Sequence, residues 1–158
     1  MRIAEGCVSL IAAYRQLPEI CQAVLTTREA QSILVCEDSQ TVAMLIQAIL
    51  ERAGARVTVV ENGALAIAAI APDTDHFDAV VTDIQMPIID GYELANQLRQ
   101  LGWAKPIIAL TALAAPEDEA RCLAAGCSDY LTKSIDPADF PTALANAIRS
   151  HSQEAVMP

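Results

Sequence analysis

Residues 80–91 read VVTDIQMPIIDG, and the rest of the chain can be interpreted outward from them. The run 79–81 is short, apolar and rich in β-branched residues, which is typical of a central strand in a parallel sheet. Asp83 follows at the carboxyl end of this strand, the edge where open α/β sheets bind their ligands. Pro87 then ends the extended run, and Asp90 can cap the helix that follows.

An acid after a strand is weak evidence of function by itself, because Asp is common in such turns as a cap or turn former. Polar side chains also follow three other predicted strands, namely Glu37 and Asp38 after 33–36, Thr111 after 107–110, and Lys133 after 130–131. If these strands are parallel, all of these groups meet at one edge of one sheet.

The chain alternates strand and helix five times from residue 32 onward, which predicts one α/β domain with a mainly parallel sheet over residues 31–150. The predicted strands lie near 32–36, 56–60, 78–82, 106–110 and 128–131. The predicted helix starts are marked by Ser39, Asn62, Asp90, Pro116 and Asp136-Pro137. The last helix is expected to end near Ser150, with a tail over 151–158.

Residues 1–30 differ from this pattern. Their apolar residues recur at near-helical spacing, and Pro18 divides them into two short pieces, so two helical segments are predicted. They fit a linker or a helix that packs on the domain. The alternative is homodimerisation through their apolar face.

Composition excludes several classes of protein. The formal net charge of −10, without a cluster of Lys or Arg, disfavours nucleic-acid binding. Apolar runs stay shorter than the roughly 18 residues of a membrane span. Residues 8–13 faintly resemble a signal sequence, but Glu5 and Gly6 interrupt the region where its continuous apolar core should begin. The segment after the first strand, Glu-Asp-Ser-Gln, lacks the glycines of a phosphate-binding loop.

The five cysteines are odd in number and lack the close paired spacing of zinc or redox motifs. They are therefore expected to be ordinary buried or partly buried thiols. Such thiols fit a reducing compartment, which predicts a cytoplasmic location.

The acids at the predicted sheet edge favour a metal site. Glu37, Asp38 and Asp83 would repel one another unless a cation lies among them, and Mg²⁺ prefers such carboxylate oxygens. Alternatively, Glu37 and Asp38 only cap and solvate the first helix. Lys133 and Thr111 could neutralise the oxygens of a phosphoryl group that Asp83 accepts as a nucleophile, although an isolated Lys is usually a surface charge.

These motifs together resemble the receiver domains of two-component response regulators over about residues 32–150. The residues that carry the resemblance are Glu37-Asp38, Asp83, Met86-Pro87, Asp90-Gly91, Thr111-Ala112 and Tyr130-Leu131-Thr132-Lys133. The resemblance implies a flavodoxin-like, doubly wound parallel sheet of five strands in the order 2-1-3-4-5. It also implies Mg²⁺-dependent transfer from a phosphohistidine protein to Asp83, followed by a conformational response.

The resemblance also implies a role for each residue of the site. Asp38, Asp83 and the backbone carbonyl of Gln85 would hold Mg²⁺, with Glu37 acting mainly through water. Thr111 and Lys133 would bind the phosphoryl group. Tyr130 matches the switch aromatic of the family, although it could be an ordinary aromatic at a strand edge.

The expected partners are a histidine kinase or histidine phosphotransfer protein and a downstream protein target. The chain could be a stand-alone regulator or the receiver module of a hybrid sensor kinase, and no independent enzyme is expected. Candidate output surfaces are the helix after Pro116, the strand that carries Tyr130 and the helix after Asp136.

Two residues depart from the family pattern. Glu37 stands where the family usually has Asp, and its longer side chain is expected to move the carboxylate outward. Ser134 replaces a Pro that often follows a cis peptide, so this peptide is either trans with a different loop or strained.

Two rival functions remain open. One is a pseudo-receiver that only binds partners. The other is a phosphatase with an aspartyl nucleophile, but Gln85 stands where such enzymes typically place their second acid.

Overall fold

The computed structural model describes residues 31–112, 115–133 and 139–154. Its strands are β1 Ser32–Cys36, β2 Arg56–Val60, β3 Ala79–Asp83, β4 Ile107–Thr111 and β5 Asp129–Thr132. Its helices are α1 Gln40–Arg52, α2 Gly63–Ile70, α3 Gly91–Gln100, α4 Pro116–Ala125 and α5 Phe140–Glu154. In these ranges no helix is both long and apolar enough to cross a membrane.

The five strands form one sheet in the order β2-β1-β3-β4-β5, and every pairing is parallel. The predicted fold class and strand order are confirmed. Side chains of α1 and α5 pack on one face of the sheet, and those of α2, α3 and α4 pack on the other. Strand β3 is buried along its whole length between these layers, and it ends with Asp83 at the carboxyl edge of the sheet.

The predicted helix caps are confirmed where the structure describes them. The side chains of Ser39, Asn62 and Asp90 accept hydrogen bonds from backbone amides in the first turns of α1, α2 and α3, at 3.4, 2.9 and 2.8 Å. Pro116 occupies the first turn of α4, where its missing amide hydrogen costs nothing. These caps fix where each helix leaves the carboxyl edge.

Some element boundaries differ from the prediction. Strands β3, β4 and β5 each lie one residue later than expected, so Asp83 and Thr111 are the last residues of their strands. Asp78 stays outside β3, and its carboxylate instead accepts a 2.8 Å bond from the amide of Ser32. Helix α5 continues to Glu154, past the predicted end at Ser150. The predicted helices in 1–30 and the start at 136–137 lie outside the described residues.

Candidate functional site

The carboxyl edge of the sheet brings the predicted site residues together. The amide of Glu37 donates a 3.0 Å bond to the carbonyl of Val60, which holds the chain after β1 against the end of β2. The amide of Lys133 donates a 2.7 Å bond to the carbonyl of Thr111, which holds the chain after β5 against the end of β4. Asp83 ends β3 between these two anchored segments.

Three acids converge at this edge. Carboxylate oxygens of Glu37, Asp38 and Asp83 lie within 4.8 Å of one another. Glu37 and Asp83 are buried, with 3% and 9% of their surfaces exposed, and Asp38 is exposed. Clustered oxygen donors with a solvent-facing side fit a hard divalent cation that keeps part of its water shell, as Mg²⁺ does.

Lys133 supplies the positive charge among these acids. Its Nζ lies 2.8 Å from Oε2 of Glu37 and 3.5 Å from Oδ2 of Asp83. Burial lowers the pKa of the Lys133 amine, but the hydrogen bonds and charges of Glu37 and Asp83 together outweigh burial, so the pKa is raised overall. The ammonium form is therefore retained at neutral pH.

Glu37 lies deeper than the sequence suggested. The expectation that its longer side chain moves the carboxylate outward is wrong, because Oε2 accepts the bond from Lys133 and Oε1 accepts a 3.2 Å bond from the amide of Ser39. Burial raises the pKa of Glu37 to about 7, against the lowering effect of Lys133. Near neutral pH both protonation states of Glu37 are therefore populated.

Gly91 sets how closely helix α3 approaches the acceptor strand. A Cβ at this position would lie 2.6 Å from the carbonyl oxygen of Asp83 and 2.8 Å from Cα of Ile84. The amide of Gly91 also donates a 2.8 Å bond to the carbonyl of Ile84. Any larger residue would push the strand end and the helix apart.

Thr111 and Tyr130 form a contact beside the acids. Thr111 is buried, Tyr130 is partly buried, and a hydrogen bond links their side chains. A cavity of about 500 Å³ opens next to Thr111 and is also lined by Asp38 and Gln85. The structure therefore brings Gln85 to the same opening as Asp38.

The far wall of this cavity holds residues that the sequence did not indicate. The guanidinium carbon of Arg121 lies 4.1 Å from the centre of the Tyr92 ring, a cation–π contact between α4 and α3. The hydroxyl of Tyr92 donates a 3.5 Å bond to Asp118. Only the adjacency of α3 and α4 reveals this group, since the residues are far apart in sequence and match no motif.

One predicted feature of the site stays untested. Ser134, which replaces the usual Pro, lies outside the described residues, and so does the peptide that precedes it. Its effect on the loop after Lys133 remains a prediction.

Comparison with known proteins gives consistent matches. The family model for the response regulator receiver domain matches residues 33–145. The sensor histidine kinase GacS of Pseudomonas protegens is 36% identical over 141 residues, which cover 78% of this chain and 15% of the kinase. An uncharacterized 14.6 kDa protein of Leptolyngbya boryana is 38% identical over 118 residues, which cover 73% of this chain and 88% of that protein.

A solved structure is also similar. The receiver domain of a sensor histidine kinase from Pseudomonas aeruginosa was determined with a magnesium ion coordinated in its active site cleft. It superposes with a TM-score of 0.66 at 34% identity, covering 77% of this chain and 98% of that one.

Proposed function

This chain belongs to the response regulator receiver domain family, and we propose on that basis that Asp83 accepts a phosphoryl group from a phosphohistidine protein in a Mg²⁺-dependent reaction. The observation that supports this most strongly is the meeting of three carboxylates and the amine of Lys133 at one strand edge. The phosphorylated domain then acts as a conformational signalling switch.

The transfer moves one phosphoryl group between two proteins. A carboxylate oxygen of Asp83 forms a bond to phosphorus as the bond between phosphorus and the partner's histidine nitrogen breaks, and that nitrogen keeps the electron pair and takes up a proton. The Lys133 ammonium, 3.5 Å from Oδ2 of Asp83, is close enough to bind an oxygen of the incoming group. The hydroxyl of Thr111 can donate to a second oxygen.

The metal would be held by Asp38, Asp83 and the backbone carbonyl of Gln85, with Glu37 nearby through water. When bound, Mg²⁺ supplies positive charge that compensates the charge of the transferring group. The donor set fits this role, because it consists of oxygens and combines buried acids with one exposed acid.

The switch would use the contact between Thr111 and Tyr130. When the hydroxyl of Thr111 turns to the phosphoryl group, its hydrogen bond with Tyr130 is lost, and the ring of Tyr130 is free to take another rotamer. Tyr130 belongs to β5, so the changed surface would comprise β5 with α4 and α5. We expect a downstream protein to bind there.

The partners and location follow from the same proposal. The phosphoryl donor would be a histidine kinase or a histidine phosphotransfer protein. Cys36, Cys122 and Cys127 are free thiols, which supports a reducing compartment and hence the cytoplasm.

The test is phosphorylation of the full chain by acetyl phosphate with Mg²⁺, followed by intact-protein mass spectrometry. We expect labelling of the native chain and none of Asp83→Asn. The matched control is Asp90→Asn, which keeps the helix cap and should be labelled normally. Undiminished labelling of Asp83→Asn would overturn the proposal.

A pseudo-receiver that only binds partners stays the competing prediction, and Lys133 lies nearer to Glu37 than to Asp83. Titration with beryllofluoride separates the two. An active acceptor binds Mg²⁺ more tightly when beryllofluoride is present, whereas a receiver that only binds partners shows no such coupling.

A further inference from the structure

Helix α4 ends in a motif that brings two cysteines together. Gly126 adopts a φ of +114°, the amide of Cys127 donates a 3.0 Å bond to the carbonyl of Cys122, and the amide of Gly126 donates a 3.1 Å bond to Leu123. These two bonds define a Schellman motif, in which the residues at the positions of Cys122 and Cys127 usually make an apolar contact. Here both positions carry thiols.

The two thiols are in direct contact. A hydrogen bond links the side chains of Cys122 and Cys127, and the residues are 0% and 5% exposed. Both are free. Cys36 provides an internal comparison, because it is equally buried but its thiol contacts the sulfur of Met86 at 3.3 Å.

We propose that Cys122 and Cys127 form a dithiol site that a low-molecular-weight disulfide, such as oxidised glutathione, converts to an intramolecular disulfide at the junction of α4 and β5. Disulfides need sulfurs in contact and Cα atoms roughly 4.4 to 6.8 Å apart. A backbone hydrogen bond directly between the two residues and the hydrogen bond between their thiols place the two cysteines side by side, as such a bond requires.

The oxidation proceeds by two exchanges. One protein thiol loses its proton and attacks a sulfur of oxidised glutathione, which forms a mixed disulfide and releases one glutathione thiol. The second protein thiol loses its proton and attacks the protein sulfur of the mixed disulfide, which closes the bond and releases the second glutathione. Two electrons thus pass from the protein to the external disulfide.

Burial makes this site slow to respond. It raises the pKa of Cys127 to about 12 and also raises that of Cys122, so the reactive thiolate is scarce in the closed helix end. The exchange therefore needs the last turn of α4 to open. Such a site would respond to sustained oxidation and return to the dithiol in a reducing compartment.

The proposed disulfide would lie close in sequence to Tyr130, the residue proposed for the switch. It would join the end of α4 to the segment that leads into β5, three residues before Tyr130. Neither thiol belongs to the acid cluster, so the formation of the bond can be tested independently of phosphorylation.

The experiment uses the folded full chain. The chain is incubated with oxidised glutathione, alkylated with N-ethylmaleimide and digested with trypsin, which places both cysteines in one peptide, 122–133. We expect this peptide to lose both alkylation sites and to be lighter than its reduced form by two hydrogen atoms. Dithiothreitol should restore both sites, and Cys36 should form no such internal bond.

The matched variant is Cys127→Ser, in which peptide 122–133 cannot close the bond and should keep an alkylated or glutathionylated Cys122. In the native chain, two alkylated cysteines after oxidation would overturn the proposal. So would a peptide that carries glutathione on one cysteine while the other stays free.

Discussion

Two partly buried cations in this domain are paired in opposite ways. Lys133, at the carboxyl edge, contacts the carboxylates of Glu37 and Asp83. Arg99, on α3, donates only to uncharged oxygens in the contacts that the structure gives for it. These are the carbonyls of Gly126, Trp103 and Lys105 at 2.8 to 2.9 Å and the hydroxyl of Ser128 at 3.1 Å.

The different partners of the two cations indicate a structural role for Arg99 and a chemical role for Lys133. Arg99 donates to three loop carbonyls at once, and its rigid planar group matches their fixed positions. Lys133 faces acids whose charges change with metal, proton or phosphoryl binding. Removing Arg99 should therefore affect mainly stability, and removing Lys133 should affect mainly reactivity.

Arg99→Met should have the largest effect. The variant removes three partly buried bonds to loop carbonyls, so we expect the free energy of unfolding to fall by about 3 kcal/mol. Urea denaturation measures this change. Arg121→Met is the matched control, since its exposed guanidinium packs on Tyr92 and should cost less than about 1 kcal/mol. Equal losses in the two variants would contradict the structural role of Arg99.

Lys133→Met tests the other half of the comparison. Removing the ammonium should slow phosphorylation by acetyl phosphate roughly 100-fold, because one positioned donor to the transferring group is lost. Unfolding should change less than in Arg99→Met, since Glu37 can take up a proton. Lys105→Met is the control, because Lys105 contacts the carbonyl of Phe77 away from the site. If Lys133→Met is phosphorylated as fast as the native chain, Lys133 has no role in the reaction.

The pH dependence of metal binding tests Glu37. Its pKa of about 7 lies above the ordinary 4.5, so the carboxyl gains a proton as pH falls below 7. Isothermal titration should show roughly tenfold weaker Mg²⁺ binding at pH 6 than at pH 8. Without metal, the same shift makes the free energy of unfolding fall as pH rises from 4.5 to 7. Glu37→Gln should flatten both profiles, and an unchanged slope in this variant would implicate another group.

Ile88→Asn should have the smallest effect and should be stabilising. Ile88, in the loop after Pro87, has a φ of +72° and is 81% exposed, so its β-branched side chain strains the backbone without packing in return. Asn tolerates this conformation, and we expect a gain of about 1 kcal/mol in thermal or urea unfolding. Ile88→Val keeps the strain and should show no gain. If both variants behave alike, backbone strain is not the cause.

Much of the fold was predictable because its signals are local. Apolar runs mark the buried strands, and Ser39, Asn62 and Asp90 mark helix starts through their own side-chain bonds. The one-residue shift at Asp83 arose because strand ends depend on pairing with neighbours. The meeting of the site residues followed from the parallel order alone.

The features that escaped prediction depend on contacts between distant segments. The burial of Glu37 is set by Lys133, 96 residues away, and the contacts of Arg99 reach across to the loop before β5. The contact between Cys122 and Cys127 arises from a helix-end motif, so their spacing matched no cysteine pattern. The positive φ of Ile88 could not be predicted from the sequence, because isoleucine rarely adopts this conformation.

The most direct test of the central claim is borohydride reduction of the phosphorylated chain. Hydride converts an aspartyl phosphate to homoserine, and tandem mass spectrometry of the digested protein locates the changed residue. We expect homoserine at position 83, formed only when both the phosphoryl donor and Mg²⁺ were present. Homoserine at Asp38, Asp90 or Asp118, or none at all in the fully phosphorylated protein, would contradict it.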